Sequence, residues 1–251
     1  MSTTMGGFEY DLCKGMPGDL MEINEFTTVK DFINMIQNVS KAYAPEPGVY
    51  TPPAMVTHAQ SLCVQSASSG RKDLLQAAYG SGLVKKSREV FTGAARGGCL
   101  QTLKYLKFSN CPWDEQTAVA AAESGDVDVL QWVINNGCPC NGEAMVTAAS
   151  IGHLGMVRFL HYNGHPVTID AVNEAVSSGA IYIVDWARGV GVESPSVFTQ
   201  AIMIGDIGIL DELRNIGYPS DVTFVDGYMG NSDIDADVID WLRSYGYINA
   251  N

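Results

Sequence analysis

The 251-residue chain lacks long apolar runs, a basic leader and a dense set of cysteines. Its apolar runs are far shorter than the roughly 20 residues that span a bilayer, so we expect no direct membrane insertion. Residues 1–20 carry no signal or transit pattern, which predicts an intracellular location, either in the cytoplasm or within a viral or organellar assembly. The six cysteines are scattered, and this favours free thiols over a disulfide scaffold.

Positive charge is scarce in the second part of the chain. The net charge is −13, and residues 94–251 contain seven Lys or Arg against nineteen Asp or Glu, with no lysine after Lys107. Nucleic acids and anionic membranes are polyanions, so this composition argues against both as partners. We expect instead a protein partner with a basic surface. The alternative is acidity that serves solubility alone.

Catalytic and cofactor-binding motifs are also missing. The chain contains no Gly-x-Ser-x-Gly, Walker A or dinucleotide-binding fingerprint, each of which places a nucleophile or a phosphate at a strand-to-helix turn. The cysteines and histidines that could act as nucleophile and base fall on repeat positions or in loops. We therefore predict that the protein is not an enzyme and holds no cofactor.

Glycines recur along residues 94–251 at a nearly constant interval. One series, spaced by 27, 27, 27, 26 and 25 residues, is Gly98, Gly125, Gly152, Gly179, Gly205 and Gly230. The second series is Gly137, Gly164, Gly191, Gly217 and Gly246, with Asn110 in its first place. Self-similarity at a fixed period of this length predicts a solenoid. The fold class that we expect is all-α: stacked antiparallel helix pairs without a substantial sheet.

Each repeat predicts a helix A and a helix B. Helix A is rich in Ala, so neighbouring helices can approach closely, and a glycine in the left-handed conformation ends it. The expected N-caps are Asp114, Asn141, Thr168 and Asp221, with Ser194 and Pro195 in the remaining unit. Helix B carries an apolar stripe that only neighbouring units can bury. One of its positions holds Tyr105, Trp132, Phe159 and Trp186, for which we predict core contacts between repeats.

Possible metal ligands are explained by the repeat. Cys138 and His165 occupy one position of successive repeats. Packed helices lie about 8–10 Å apart, whereas zinc ligands lie about 2.0–2.3 Å from the metal. His161 shares the last turn of helix B with the cations Lys107, Arg188, Arg214 and Arg243 of other repeats, where positive charge complements the helix dipole. The acids Asp233, Asp235 and Asp237 lack the Gly and Glu that complete a calcium loop. We predict no metal site.

The repeat resembles ankyrin-type repeats. The residues that carry the resemblance are Ala121-Ala-Glu-Ser-Gly125, Val129-Leu-Gln-Trp132 and Asn136-Gly-Cys-Pro139. The likeness is to the short variety, with a repeat of about 27 residues, found in large protist-infecting viruses and in some protists. It covers residues 94–220 well and residues 52–93 and 221–248 weakly. The resemblance implies stacked helix pairs that hold a partner protein.

Three segments follow from these patterns. Residues 1–50 form an N-terminal non-repeat segment with one amphipathic helix at Thr28–Tyr43, which serves as a cap or an anchor. Residues 51–93 form a diverged first repeat, with Gly70 and Gly82 in the glycine positions. Residues 94–251 form the ankyrin-type repeat array and its C-terminal cap, since the end units of a repeat stack need covered outer faces.

The predicted function is a protein–protein interaction scaffold that binds a partner through its acidic repeat face. The alternative is a permanent structural subunit of a large assembly, such as a virus particle or an organellar supercomplex, in which the repeats act as spacer or linker. The candidate partner-binding residues share exposed positions of helices A, and they are Gln116, Val119, Glu123, Glu143, Val146, Thr147, Asp170, Asn173, Glu174 and Ser177.

Overall fold

The computed structural model describes residues 60–80, 84–219 and 234–248, together with the backbone of 2–5, 8–11 and 53–59. The chain divides into two compact units, Met1–Ser66 with Asp73–Lys85 and Ala67–Lys72 with Lys86–Asn251. Strands β1 (Ser2–Met5) and β2 (Phe8–Asp11) pair antiparallel in the first unit, with Ser2 opposite Asp11 and Met5 opposite Phe8. The expected helix at Thr28–Tyr43 and the residues Gly82, Asp221 and Gly230 lie outside the described residues.

Thirteen helices are found in the described residues. The first two are α1 (Pro53–Ser68) and α2 (Lys72–Gly80). Five further helices are helices A of the repeats: α3 (Arg88–Arg96), α5 (Glu115–Glu123), α7 (Gly142–Ser150), α9 (Ile169–Ser177) and α11 (Val197–Ile204). Six are helices B: α4 (Leu100–Phe108), α6 (Val127–Asn135), α8 (Leu154–Tyr162), α10 (Ile181–Gly189), α12 (Ile207–Asn215) and α13 (Ala236–Ser244).

The repeats of the second unit stack as the alternating pattern predicts. Each of α3, α5, α7 and α9 packs against the next helix A, and each helix B packs against the next helix B. Small side chains allow this close approach, because Ala118, Ala120, Ala121 and Ala122 of α5 are all fully buried. The predicted all-α fold class is therefore confirmed, and the only sheet in the described residues is the two-stranded β1–β2 hairpin.

The glycine positions end the helices in the predicted conformation. All described glycines of both series have positive φ, from +66° at Gly217 to +87° at Gly164 and Gly191. Asn110 takes the same conformation at φ +54°, and it is the one such non-glycine among the described residues. Its amide donates to Lys107 O at 3.0 Å and the next amide, of Cys111, donates to Leu106 O at 2.9 Å. These two hydrogen bonds satisfy carbonyl groups in the last turn of helix α4.

The predicted N-caps are only partly right. The side chains of Asn141 and Thr168 accept from the amides of Glu143 at 3.1 Å and Ala171 at 3.2 Å, as expected. Asp114 stands at the N-cap of α5 but makes no side-chain capping bond. Its carboxylate lies 3.5 Å from the Arg88 guanidinium instead, so an ion pair between repeats replaces the cap.

The helix after Ser194 starts later than predicted. Helix α11 begins at Val197, so Pro195 precedes the helix instead of forming its first turn. The reason is tertiary, since the Tyr218 hydroxyl accepts from Ser194 N at 2.9 Å and donates to Ser194 O at 3.1 Å. These bonds hold the backbone of Ser194 outside the helix.

None of the helices in the described part of the chain combines the length and the apolar character that a bilayer-crossing helix needs.

Candidate partner-binding face

The predicted binding residues lie on one face of three successive helices A. Each of α5, α7 and α9 has nine residues, and the candidates occupy the second, fifth, sixth and ninth positions. At about 3.6 residues per turn these positions share one side of a helix. Because the three helices pack side by side, their faces join into one surface, which we call the helix-A face.

Most of the candidates are accessible on this face. The exposed residues are Gln116, Glu123, Glu143, Asp170, Glu174 and Ser177, and the half-buried ones are Val146, Thr147 and Asn173. The prediction for Val119 is wrong, because only 5% of this side chain is exposed. Neighbouring Ala side chains let α3 and α7 close in on both sides of α5, so the fifth position of α5 is sealed. The fifth position of α7, Val146, stays half-buried.

Two of the acidic candidates already have partners in neighbouring helices. The Arg96 guanidinium donates to the Glu123 carboxylate at 2.6 Å, and the Gln116 amide donates to the Glu143 carboxylate at 3.0 Å. We expected the Glu123 charge to be uncompensated, and the Arg96 contact corrects this. The pair is exposed on both sides, so its net contribution to stability is small, about 0–1 kcal/mol.

Polar contacts also cross the face toward α11. The side-chain oxygen of Asn173 accepts from the hydroxyls of Ser194 at 2.8 Å and Ser196 at 3.1 Å. The Gln200 amide donates to the Ser177 hydroxyl at 2.6 Å. These contacts assign Asn173 and Ser177 a role in joining repeats, which single-sequence reasoning missed because it requires the relative positions of two helices.

Asp170 and Glu174 are left as the uncompensated charges of the face. They are exposed, and neither forms an ion pair or a side-chain hydrogen bond within the described residues. The two carboxylates are four residues apart on α9, a spacing at which like charges repel by about 0.2–0.5 kcal/mol. With Glu143 on the neighbouring helix α7, they give the central part of the helix-A face a negative potential.

The aromatic position of helix B contributes to repeat contacts but is not fully buried. We predicted core contacts between repeats for Tyr105, Trp132, Phe159 and Trp186, and all four are half-buried. The ring of Trp186 lies 5.3 Å from the His161 ring of the preceding repeat, edge to face. The Trp186 ring therefore joins two neighbouring repeats, and part of each of the four side chains remains at the surface.

The cations at the ends of helices B reach into the next repeat. Lys107 donates to Asn136 O at 3.4 Å, and Arg188 donates to Ile216 O at 2.7 Å and Gly217 O at 3.1 Å. We predicted that each cation interacts with the C-terminus of its own helix B. Lys107 and Arg188 also bond the C-terminal end of helix B in the following repeat. Each cation neutralises the negative end of that helix dipole and bonds its orphan carbonyls.

Burial and hydrogen bonds describe the surroundings of the cysteine thiols. The thiols of Cys111 and Cys138 donate to Ser87 O at 3.3 Å and Asp114 O at 3.2 Å, the N-cap residues of their own repeats. Burial raises the pKa of Cys138 to about 12 and that of Cys140 to about 11, so both remain thiols at neutral pH. Within the described residues, no group of three or more His, Cys, Asp or Glu could hold a metal ion.

Comparison with protein-family models and with curated proteins gives no match to this chain.

Proposed function

We propose that this protein is an ankyrin-type interaction module that binds a partner protein with a basic surface through the helix-A face. The observation that carries the proposal is the set of three carboxylates, Glu143, Asp170 and Glu174, on adjacent packed helices without a cation bonded to any of them in the described residues. The resemblance of the repeats to ankyrin-type repeats supports the same class of function.

The charges provide a physical reason for binding. A Lys or Arg of a partner placed between Asp170 and Glu174 relieves their mutual repulsion, so the gain appears only in the complex. A patch of one sign also speeds encounter with an oppositely charged protein, and salt weakens this effect. The half-buried Val146 and Thr147 follow Glu143 on the same face of α7 and offer partly apolar contact area on the same helix as that charge.

The test begins with affinity purification from the native source and mass spectrometry, followed by binding kinetics with the purified partner. We expect association to slow several-fold between low and physiological ionic strength. The double variant Glu143→Lys with Glu174→Lys should weaken binding by about tenfold or more, an effect of about 1.4 kcal/mol, without lowering thermal stability. The matched control is Glu193→Lys with Glu212→Lys, which changes the net charge equally at two exposed positions outside helices A.

Three outcomes would contradict the proposal. The first is association that does not depend on salt, and the second is equal weakening of binding by the test and control variants. The third is a partner whose contact patch is acidic or purely apolar. Each would mean that the acidic residues serve solubility alone. The alternative function, a permanent subunit that acts as a spacer, predicts a constant stoichiometry in a purified assembly. A free monomeric pool in cell extracts supports the interaction module.

A further inference from the structure

The residue before the left-handed glycine that ends each helix A is small in some repeats and apolar in others. At this position the chain has Gly97, Ser124, Ile151, Ser178 and Ile204. The hydroxyls of Ser124 and Ser178 donate to the carbonyls of Ala121 at 2.7 Å and Ala175 at 3.1 Å, which helps to end the helix. Isoleucine cannot make such a bond, yet Ile151 is 45% exposed and Ile204 is 42% exposed. The side chains of the two isoleucines therefore make no hydrogen bond at the helix end and remain partly exposed.

Two more apolar side chains extend this surface. Tyr182 is 53% exposed, and its hydroxyl donates to Gly152 O at 2.5 Å, so its ring stands beside the turn that contains Ile151. Met203 precedes Ile204 and is also exposed. We call Ile151, Tyr182, Met203 and Ile204 the turn patch. It covers the turns between helices A and B in three successive repeats.

The small residues Ser178 and Gly179 occupy the turn between the two isoleucines. Neighbouring packed helices lie about 8–10 Å apart, so Ile151 and Ile204, two repeats apart, are separated by roughly 16–20 Å. A helix with its side chains is about 10–12 Å wide. The turn patch thus has the dimensions to receive one helix against Ser178, with an isoleucine on each side.

The charges around the turn patch indicate which charge a partner should carry. The turns of these repeats and of the preceding one, residues 123–128, 150–155, 177–182 and 203–208, contain no Lys or Arg; their acids are Asp126, Asp128 and Asp206, together with Glu123, which is paired with Arg96. The cations Lys107, Arg188 and Arg214 stand at the opposite ends of helices B. An apolar strip with acidic flanks complements a helix that has one apolar side and basic edges.

We propose that the turn patch docks a basic amphipathic helix of a partner protein. Apolar side chains of that helix lie against Ile151, Tyr182 and Ile204, and its Lys or Arg side chains point toward Asp126 and Asp206. The turn patch shares no residue with the helix-A face, so this inference does not depend on the function proposed above.

The experiment is a titration of the full-length protein with labelled synthetic peptides of roughly 18 residues, about five helical turns. One peptide has Leu at positions spaced three and four apart and Lys elsewhere; a second has the same composition in scrambled order; a third has Glu in place of Lys. The test variant is Ile151→Ser with Ile204→Ser, which introduces the residue that the neighbouring repeats use. The control is Phe108→Ser with Tyr162→Ser, which removes two even more exposed side chains, 87% and 69%, at the ends of helices B.

We expect the wild type to bind the amphipathic Leu/Lys peptide at least about tenfold more tightly than the other two. The test variant should lose that preference, the control should keep it, and thermal melting should show both variants folded. Equal binding of the scrambled peptide, or equal loss in test and control, overturns the proposal. Loss of binding only in Glu143→Lys with Glu174→Lys also overturns it, since the peptide then lies on the helix-A face and the proposed function stands. The proposal is also overturned if the wild type binds no peptide and forms a dimer that only the test substitutions dissociate. In that case the turn patch binds a second copy of the chain.

Discussion

The Arg96 guanidinium and the Glu123 carboxylate lie 2.6 Å apart across two successive helices A. Both residues are at the ninth position of their helices, α3 and α5. The contact divides the helix-A face into a neutralised part, around Glu123, and an uncompensated part, around Asp170 and Glu174. A charge reversal at Glu123 would also break this ion pair and place two positive charges next to each other. The binding test therefore reverses the charges of Glu143 and Glu174 instead.

Asn110 offers a test of the helix-ending conformation. At φ +54° a side chain with a Cβ is strained by roughly 1–2 kcal/mol, and glycine is not. We expect Asn110→Gly to raise the free energy of unfolding by up to about 1 kcal/mol and Asn110→Ala to lower it by about 1 kcal/mol. Urea denaturation measures both. The control is Asn163→Gly, where φ is −93° and glycine should give no gain; a gain of the same size there would contradict the explanation.

Tyr218→Phe tests the bond that displaces the start of helix α11. The substitution leaves the buried Ser194 N–H and C=O without the hydroxyl that now serves both. An unsatisfied buried group costs about 1–3 kcal/mol, so the free energy of unfolding should fall by that amount. Tyr162→Phe removes an exposed hydroxyl and should change little. Equal stabilities of the two variants would show that the Tyr218 bonds contribute nothing.

Trp132→Ala tests whether the aromatic position of helix B is structural. A fully buried Trp costs about 3–5 kcal/mol when truncated to Ala. Trp132 is half-buried, so we expect about 2–3 kcal/mol, measured by chemical denaturation. Trp241→Ala should cost more, because that ring is buried and its N–H donates to Asp211 at 2.8 Å. Unchanged stability of Trp132→Ala, together with lost partner binding, would make this position a ligand surface.

Stability should decline at alkaline pH, in part through Cys138. Its pKa is raised from 9.0 to about 12, mainly by burial. Between these values the unfolded chain loses the thiol proton and the folded chain keeps it, so the unfolded state binds fewer protons and stability falls as the pH rises. The fall for this thiol approaches about 1.4 kcal/mol per pH unit. Melting temperatures measured across this range should fall less steeply in Cys138→Ala than in the wild type. Parallel slopes would mean that the thiol titrates normally.

Much of the repeat architecture follows from local sequence. Left-handed glycines, Ala-rich helices and apolar stripes act through steric limits and periodicity within about ten residues, so Gly125 and Gly137 marked helix ends correctly. The caps at Asn141 and Thr168 were predictable for the same reason, since each bonds an amide two or three residues away. The cap at Asp114 was not, because its carboxylate faces Arg88, which belongs to the preceding repeat.

The sequence by itself determined the helix pairs, their order and the excess of acids on residues 94–251, because periodicity, helix-ending residues and charge are properties of the chain. Only the tertiary structure decided which candidate residues are available to a partner. Val119 is sealed by the close approach of α3 and α7, and Glu123 is neutralised by Arg96. Asp170 and Glu174 stay exposed and form no ion pair within the part of the chain that the structure describes, since burial and ion pairing depend on atoms that neighbouring helices bring within a few ångströms.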